Sequence, residues 1–220
     1  MGGGFPQSGG NQPHAAFALG QIEPAFHFHA FAFIPVILRL VSGFALLGSS
    51  QRRAGEPDHI REGQNTMKQR VIDPEITLVP YYPNYEVSYA WYQDPGVCKQ
   101  VDNMDGTYTM ENLKAMYGYL STHGDCFYIQ YRGTLVGDVT LQDNHEISIV
   151  ICREYQNRHI GRRCVAELLR LAGEKGLQEV KARIYSFNTQ SQRMFSSLGF
   201  EKTAEEWYVY HIKPSQRKAM

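Results

Sequence analysis

The sequence predicts an α/β fold of the α+β kind, a central mixed, mostly antiparallel sheet with helices on both faces. Three observations carry this. Short β-branched runs of strand length, such as Ile147-Ser148-Ile149-Val150-Ile151, alternate with longer stretches of helical period. Turn residues separate them, notably Arg132-Gly133 and Asp143-Asn144. A hydrophobic share of 43% over 220 residues is enough for a packed core.

The elements follow in order. Glu75 to Pro80 reads as a first strand, closed by Pro80 and Pro83. Asn84 can cap a helix to Gln93, and Asp94-Pro95-Gly96 breaks it. Thr109 can cap a helix from Met110 to Thr122, with Leu113, Met116, Tyr117 and Leu120 on one face and Gly124 as its stop. Phe127–Tyr131 and Thr134–Leu141 are strands joined by the hairpin signal Arg132-Gly133. A strand from His145 to Ile151 follows. Beyond it, Ile160, Gly161, Cys164, Val165, Leu168, Leu169 and Ala172 form the stripe of an amphipathic helix that Gly176 ends. Glu179–Ile184 is a strand, Thr189–Leu198 a short helix, and Glu201–Ile212 one or two closing strands. The expected order is β-α-α-β-β-β-α-β-α-β.

The chain divides at about residue 67. Residues 1 to 66 read as an extension, disordered or non-native. Met1–Gly20 is rich in Gly, Pro, Gln and Asn, Ala25–Gly48 is apolar, and Ser49–Thr66 is linker-like. His27, His29, Pro35 and Arg39 interrupt the apolar stretch, which argues against a membrane span. Met67 reads as the natural start of a folded domain covering 67–220. A formal net charge of +0 gives no support to coating a nucleic acid. The four cysteines, Cys98, Cys126, Cys152 and Cys164, form no Cys-x-x-Cys pair; they read as buried free thiols in a reducing, cytoplasmic compartment, with no metal site.

The stretch richest in chemistry is the turn between Ile151 and the amphipathic helix. The first turn of a helix offers free backbone N–H groups and the positive end of the dipole. Gly161 admits close approach, and Arg158, Arg162 and Arg163 add positive charge. The expected ligand is a phosphate or pyrophosphate.

Gln156-Asn157-Arg158-His159-Ile160-Gly161 resembles the Gln/Arg-x-x-Gly-x-Gly/Ala signature of the GNAT superfamily. Asn188-Thr189-Gln190-Ser191-Gln192-Arg193-Met194-Phe195-Ser196-Ser197-Leu198-Gly199-Phe200 resembles that family's Asn-x-x-Ala/Ser-x-x-x-Tyr-x-x-Leu-Gly-Phe. The resemblance covers about Glu75 to Ile212, and a branch resembling the ribosomal-protein N-terminal acetyltransferases is one expectation. It implies transfer of an acetyl group from acetyl-CoA, as co-substrate, to a primary amine. It places the coenzyme on Gln156, Asn157, Arg158, His159, Ile160, Gly161 and Arg162, on the strand Ile149, Val150 and Ile151, and on Asn188. His159 stands where the first Gly is usual; the N–H groups of the turn can face phosphate if His159 keeps an ordinary helical φ. Glu146 stands in the place of a family Glu that serves as base, with His145 in reserve. Phe195 stands where many relatives carry the Tyr that protonates the leaving thiolate, and Tyr185 and Ser191 are nearby substitutes. Tyr92, Tyr108, Tyr117, Glu205, Glu206, Trp207 and Tyr208 are expected around the acceptor. The acceptor is a small-molecule, peptide or protein amine, with a homodimer left open. The alternative reading is an acyl-CoA-binding module that has kept the fold and lost the chemistry.

Overall fold

The computed structural model describes residues 67–216, so the expectations for 1–66 lie outside the described residues. Five strands form one antiparallel sheet in the order β1-β2-β3-β4-β5. They are β1 (Arg70–Val71), β2 (Ile76–Pro80), β3 (Gly124–Tyr131), β4 (Thr134–Gln142) and β5 (Ile147–Ile151). A second antiparallel sheet contains β6 (Glu179–Arg183), β7 (Glu201–Ala204) and β8 (Trp207–His211) in the order β6-β8-β7. An isolated parallel bridge, Glu146 to Lys181, joins the sheets, and the Lys181 N–H donates to the His145 carbonyl at 3.0 Å. Past that bridge β6 pairs with β8 and β5 with β4, so β5 and β6 part company.

Helices α1 (Tyr85–Trp91), α2 (Pro95–Asp102) and α3 (Met110–Thr122) cover one face. Tyr92, just past α1, and Tyr117 of α3 both donate to Asp138 of β4, at 3.0 and 2.7 Å. Helix α4 (Ile160–Glu174) lies on the other face. A Cβ at Gly161 would meet Ile149 and Ile151, and these pair across the ladder with Val139 and Gly137, out of phase with Asp138. Its expected stripe, Ile160, Cys164, Val165, Leu168, Leu169 and Ala172, is buried. Helix α5 (Thr189–Ser197) follows β6. Among the described residues no helix is long and apolar enough to cross a membrane.

Several expected boundaries shift, each for a physical reason. Asp94-Pro95-Gly96 follows the end of α1 at Trp91, as expected of a break, and it also opens α2. The Asp94 carboxylate accepts from the Val97 N–H at 3.0 Å, and Pro95 occupies the first turn, where a missing N–H costs nothing. Gly124 does not merely stop α3; it starts β3, where a Cβ would lie 2.6 Å from the Leu141 carbonyl oxygen. The strand expected from His145 begins at Ile147, because His145 turns at φ 68. Arg132 (φ 48) and Gly133 (φ 85) form the tight hairpin turn that strand twist favours.

All four cysteines are free and buried. Burial pushes the Cys152 thiol up to about 11 and those of Cys126 and Cys164 up to about 12. Glu167 on α4 is also buried and takes Arg70 of β1 at 2.5 Å and Arg170 at 2.7 Å. A buried charge is tolerated when it is paired in this way, and the pairing pins the short β1 to the core.

Candidate active site

The divergence of β5 and β6 opens a cleft of about 380 Å³. Antiparallel pairing turns both backbone groups of alternate residues toward the partner. The Cys152 N–H donates to Val136 at 2.9 Å, so the backbone groups of Ile149 and Ile151 turn the other way, toward the opening. Ile149, Val150 and Ile151 form the floor. One wall is the start of α4, the second is α5, and the third is Val97, Gln100 and Val101 of α2.

At the head of α4 the backbone bends through two left-handed residues and leaves a hollow on the cleft side. Asn157 (φ 60) and His159 (φ 58) are both left-handed, and the residues between and after them are not. Alternating handedness of this kind aims successive N–H groups inward. From Asn157 to Arg162 these groups donate to no acceptor among the described residues. The expectation of an ordinary helical φ at His159 is therefore wrong. The turn needs a left-handed residue there, which glycine adopts freely and histidine tolerates. His159 makes no side-chain cap and its ring is exposed. Gly161 faces the cleft, and its missing Cβ would make only ordinary contacts, 3.7 Å to Ile149 and 3.8 Å to Ile151. Nothing inside the protein demands glycine here; the open space lies toward the cleft. The residues present thus fit a diphosphate.

Ten of the eleven residues expected to hold the coenzyme line this cleft, namely Ile149, Val150, Ile151, Gln156, Asn157, His159, Ile160, Gly161, Arg162 and Asn188. Arg158 does not. Its guanidinium turns back to donate to the Glu154 carbonyl at 2.9 Å and lies over the Tyr155 ring at 4.9 Å. Two side chains are spent within the protein. Gln156 donates to the Ile151 carbonyl (3.0 Å) and to the Gln100 side chain (3.1 Å). Asn188 caps α5 by accepting from the Ser191 N–H at 3.1 Å and donates to the Gln100 carbonyl at 3.2 Å. Gln100 thus straps α2 across the cleft. The Asp94-Pro95 helix start could have revealed α2, had it been read as a cap rather than a break.

A smaller cavity of about 60 Å³ adjoins the cleft and shares Gln100, Val101, Ile149, Asn188 and Ser191 with it. Glu146 lines it. Glu146 as a residue is 6% exposed, and burial raises its pKa against the lowering pull of Lys181 and Arg183. Tyr185, Ser191 and Phe195 line the same cavity. Phe195 packs edge-on against Phe200 and offers no hydroxyl. His145, the reserve base, lines neither cavity.

The aromatic acceptor site expected from Tyr92, Tyr108 and Tyr117 is not there. Tyr92 and Tyr117 hold the buried Asp138, and Tyr108 bonds Asp102. Glu205, Glu206, Trp207 and Tyr208 lie on the β7–β8 hairpin and line neither cavity, and Glu206 pairs with Arg183 at 2.9 Å. Tyrosine enrichment here reflects a polar seam in the core, which pattern reading cannot tell from a cleft wall.

Comparison with known proteins bears on this geometry. A family profile described as "Acetyltransferase (GNAT) family" matches residues 88–200. The chain belongs to the GNAT family of acetyltransferases. This GNAT chain is 24% identical over 133 residues to N-acetyltransferase family 8 member 3 of Mus musculus, covering 56% of this chain and 55% of the relative. It is 26% identical over 136 residues to N-acetyltransferase family 8 member 3 of Rattus norvegicus, with 56% and 54% covered. The chain thus spans about half the length of the curated relatives it matches. Its fold resembles that of Microcin C7 self immunity acetyltransferase MccE in complex with acetyl-CoA and AMP. The TM-score is 0.55 and identity 16%, covering 64% of this chain and 94% of that one. It also resembles spermidine N-acetyltransferase from Vibrio cholerae in complex with CoA and spermine. There the TM-score is 0.52 and identity 13%, covering 62% and 93%.

Proposed function

We propose that this protein is an N-acetyltransferase that moves an acetyl group from acetyl-CoA to a primary amine by direct attack on the thioester. One observation carries the reading: a hollow of free N–H groups at Asn157–Arg162 opens onto a cleft that runs to a buried carboxylate, Glu146. In this reading the hollow and the α4 dipole hold the pyrophosphate. The backbone of Ile149 and Ile151, turned to the opening, orients the thioester arm. Glu146 takes a proton from the amine as its nitrogen bonds to the carbonyl carbon. The carbon–sulfur bond then breaks and the thiolate leaves. A thiol of pKa ~8.5 leaves without a strong acid, so the phenylalanine at 195 does not block the reaction. Tyr185 and Ser191 both carry hydroxyls in that cavity. The folded domain begins near Met67 and acts in the cytoplasm.

Replacing the base tests this. Glu146→Gln should lower kcat by ~10²–10⁴-fold and leave acetyl-CoA binding intact. With its pKa raised, Glu146 is deprotonated only above the ordinary carboxylate range, so kcat/KM should climb with pH on an acidic limb that the variant lacks. A variant with unaltered turnover would remove Glu146 from the mechanism. Acetyl-CoA binding by calorimetry, with no free thiol released by any amine, would favour the binding-module alternative.

A further inference from the structure

We propose that Gln142 is the positioning residue of the base: its buried side-chain amide holds the Glu146 carboxyl in both protonation states, accepting from the acid and donating to the carboxylate. This rests on Glu146 being the base of the acetyl transfer. Three observations point to Gln142.

The first is register. Leu141 of β4 pairs with Ile147 of β5. One step nearer the turn, the Gln142 N–H donates to the Glu146 carbonyl at 2.8 Å. Alternation therefore turns the side chains of Gln142 and Glu146 to one face, in phase with Asp138 and Ser148. Residues opposed in this way have Cβ atoms ~4.5–5.5 Å apart, within reach of two such side chains. The turn that sets the pairing is itself held. His145 is left-handed at φ 68, and its N–H donates to the Gln142 carbonyl at 2.9 Å. The Asn144 side chain accepts from the Glu146 N–H at 2.9 Å.

The second is burial without a partner. Gln142 is 2% exposed, and neither its Oε1 nor its Nε2 has a hydrogen-bond partner among the described residues. Asp138, in phase with it on β4, is held by two tyrosine hydroxyls. A buried amide without such partners is unfavourable, and an apolar side chain of similar length would avoid the cost. The neighbour whose own hydrogen-bonding changes during the reaction is Glu146.

The third is the chemistry of a base. An ionised carboxylate only accepts, whereas the acid it becomes must also donate. An amide has a donor end and an acceptor end, and rotation of the side chain presents either. Burial raises the pKa of Glu146, while Lys181 and Arg183 of β6 pull it back by charge and Asn144 by a hydrogen bond. Asn144 spends its oxygen on the Glu146 N–H, so its remaining amide end serves the charged form alone. Arg183 is shared with Glu206 of the β7–β8 hairpin, and Tyr185 feels the Glu146 charge. The side chains that α2 and α5 bring to this cavity, Gln100, Val101, Ser191 and Phe195, carry no charge.

The test titrates Glu146 in the full chain by carbon NMR of its carboxyl, assigned with Glu146→Gln. Beside it runs the pH profile of kcat/KM with acetyl-CoA and a panel of primary amines. Gln142→Met, unbranched and of similar length, should raise the Glu146 titration and the acidic limb together by ~1 in pH. Activity should fall ~10-fold below the limb and return to within ~3-fold of wild type above it. Its Tm should hold or rise, because an unpartnered amide is gone. Gln142→Glu should move the limb further in the same direction, through like charge. In the Glu146→Gln background, Gln142→Met should cost no further turnover. An unmoved titration and limb in Gln142→Met, or an equal loss in the Glu146→Gln background, overturns the proposal. Should Gln142→Met fail to fold, Gln142→Glu decides by the same shift. A protein that acetylates no amine overturns the acetyltransferase reading instead, and the NMR titration then decides Gln142 by itself.

Discussion

His159 supplies a measurable quantity. It sits at φ 58, ψ 13, with no capping bond and an exposed ring. Removing the ring should therefore forfeit little packing. A left-handed L-residue carries ~1–2 kcal/mol of steric cost, and histidine lies at the low end because it is enriched in this region. Glycine removes that cost but returns ~0.5–1 kcal/mol through the extra freedom of the unfolded chain. His159→Gly should thus stabilise the domain by about 0.5 kcal/mol, and His159→Ala, which keeps the strain, should change it by less than that or lower it. For a domain of about 150 residues, 1 kcal/mol moves Tm by ~2–4 °C, so the gain is about 1–2 °C. Urea unfolding followed by intrinsic fluorescence, with a thermal melt beside it, resolves the pair. Acetyl-CoA affinity of His159→Gly should be retained, because its backbone prefers the same turn. If alanine stabilised as much as glycine, or glycine destabilised, the left-handed cost would not be the operative term.

Three further perturbations follow from the same geometry. Gly161→Ala should stabilise α4 by up to about 1 kcal/mol, since its Cβ has room, while weakening acetyl-CoA binding; Gly161→Glu should abolish binding in a folded protein, and normal affinity by calorimetry would refute the hollow. Asp138 is held at about 7, by burial first, against the lowering hydroxyls of Tyr117 and Tyr92, and returns to 3.8 when unfolded. The folded state therefore holds the extra proton between those values, and stability falls as pH rises from about 4 to 7, by up to about 4 kcal/mol. Asp138→Asn should flatten that slope in urea titrations at several pH values; an unchanged slope would assign it to other groups. Arg70→Ala should cost ~1–3 kcal/mol, because buried Glu167 keeps only Arg170. The loss should shrink in a Glu167→Gln background, and an equal loss in both would show that the ion pair is not its source.

The periodic parts of the molecule were legible in the chain itself. The Ile147–Ile151 strand, the α4 stripe and the Thr109 cap each rest on a local rule, alternation, 3.6-residue spacing or a side chain reaching its own helix. The run of free N–H groups at the start of α4 was legible for the same reason, since a helix start makes them whatever surrounds it. Local rules also misled. Asp94-Pro95 serves equally as a break or a helix start, and only packing against β5 selects α2.

What the sequence alone could not settle is which groups meet. It could rank Tyr92 and Tyr117 as aromatic, but a tyrosine in a cleft wall and one bonded to a buried carboxylate have the same pattern. Only the register that sets Asp138 beneath α1 and α3 decides between them. The cleft itself is not encoded in any segment. It exists because β5 and β6 touch at Glu146 and Lys181 and then take different partners. Backbone hydrogen bonding between strands distant in sequence is a property of the assembled sheet, and so is the opening it leaves.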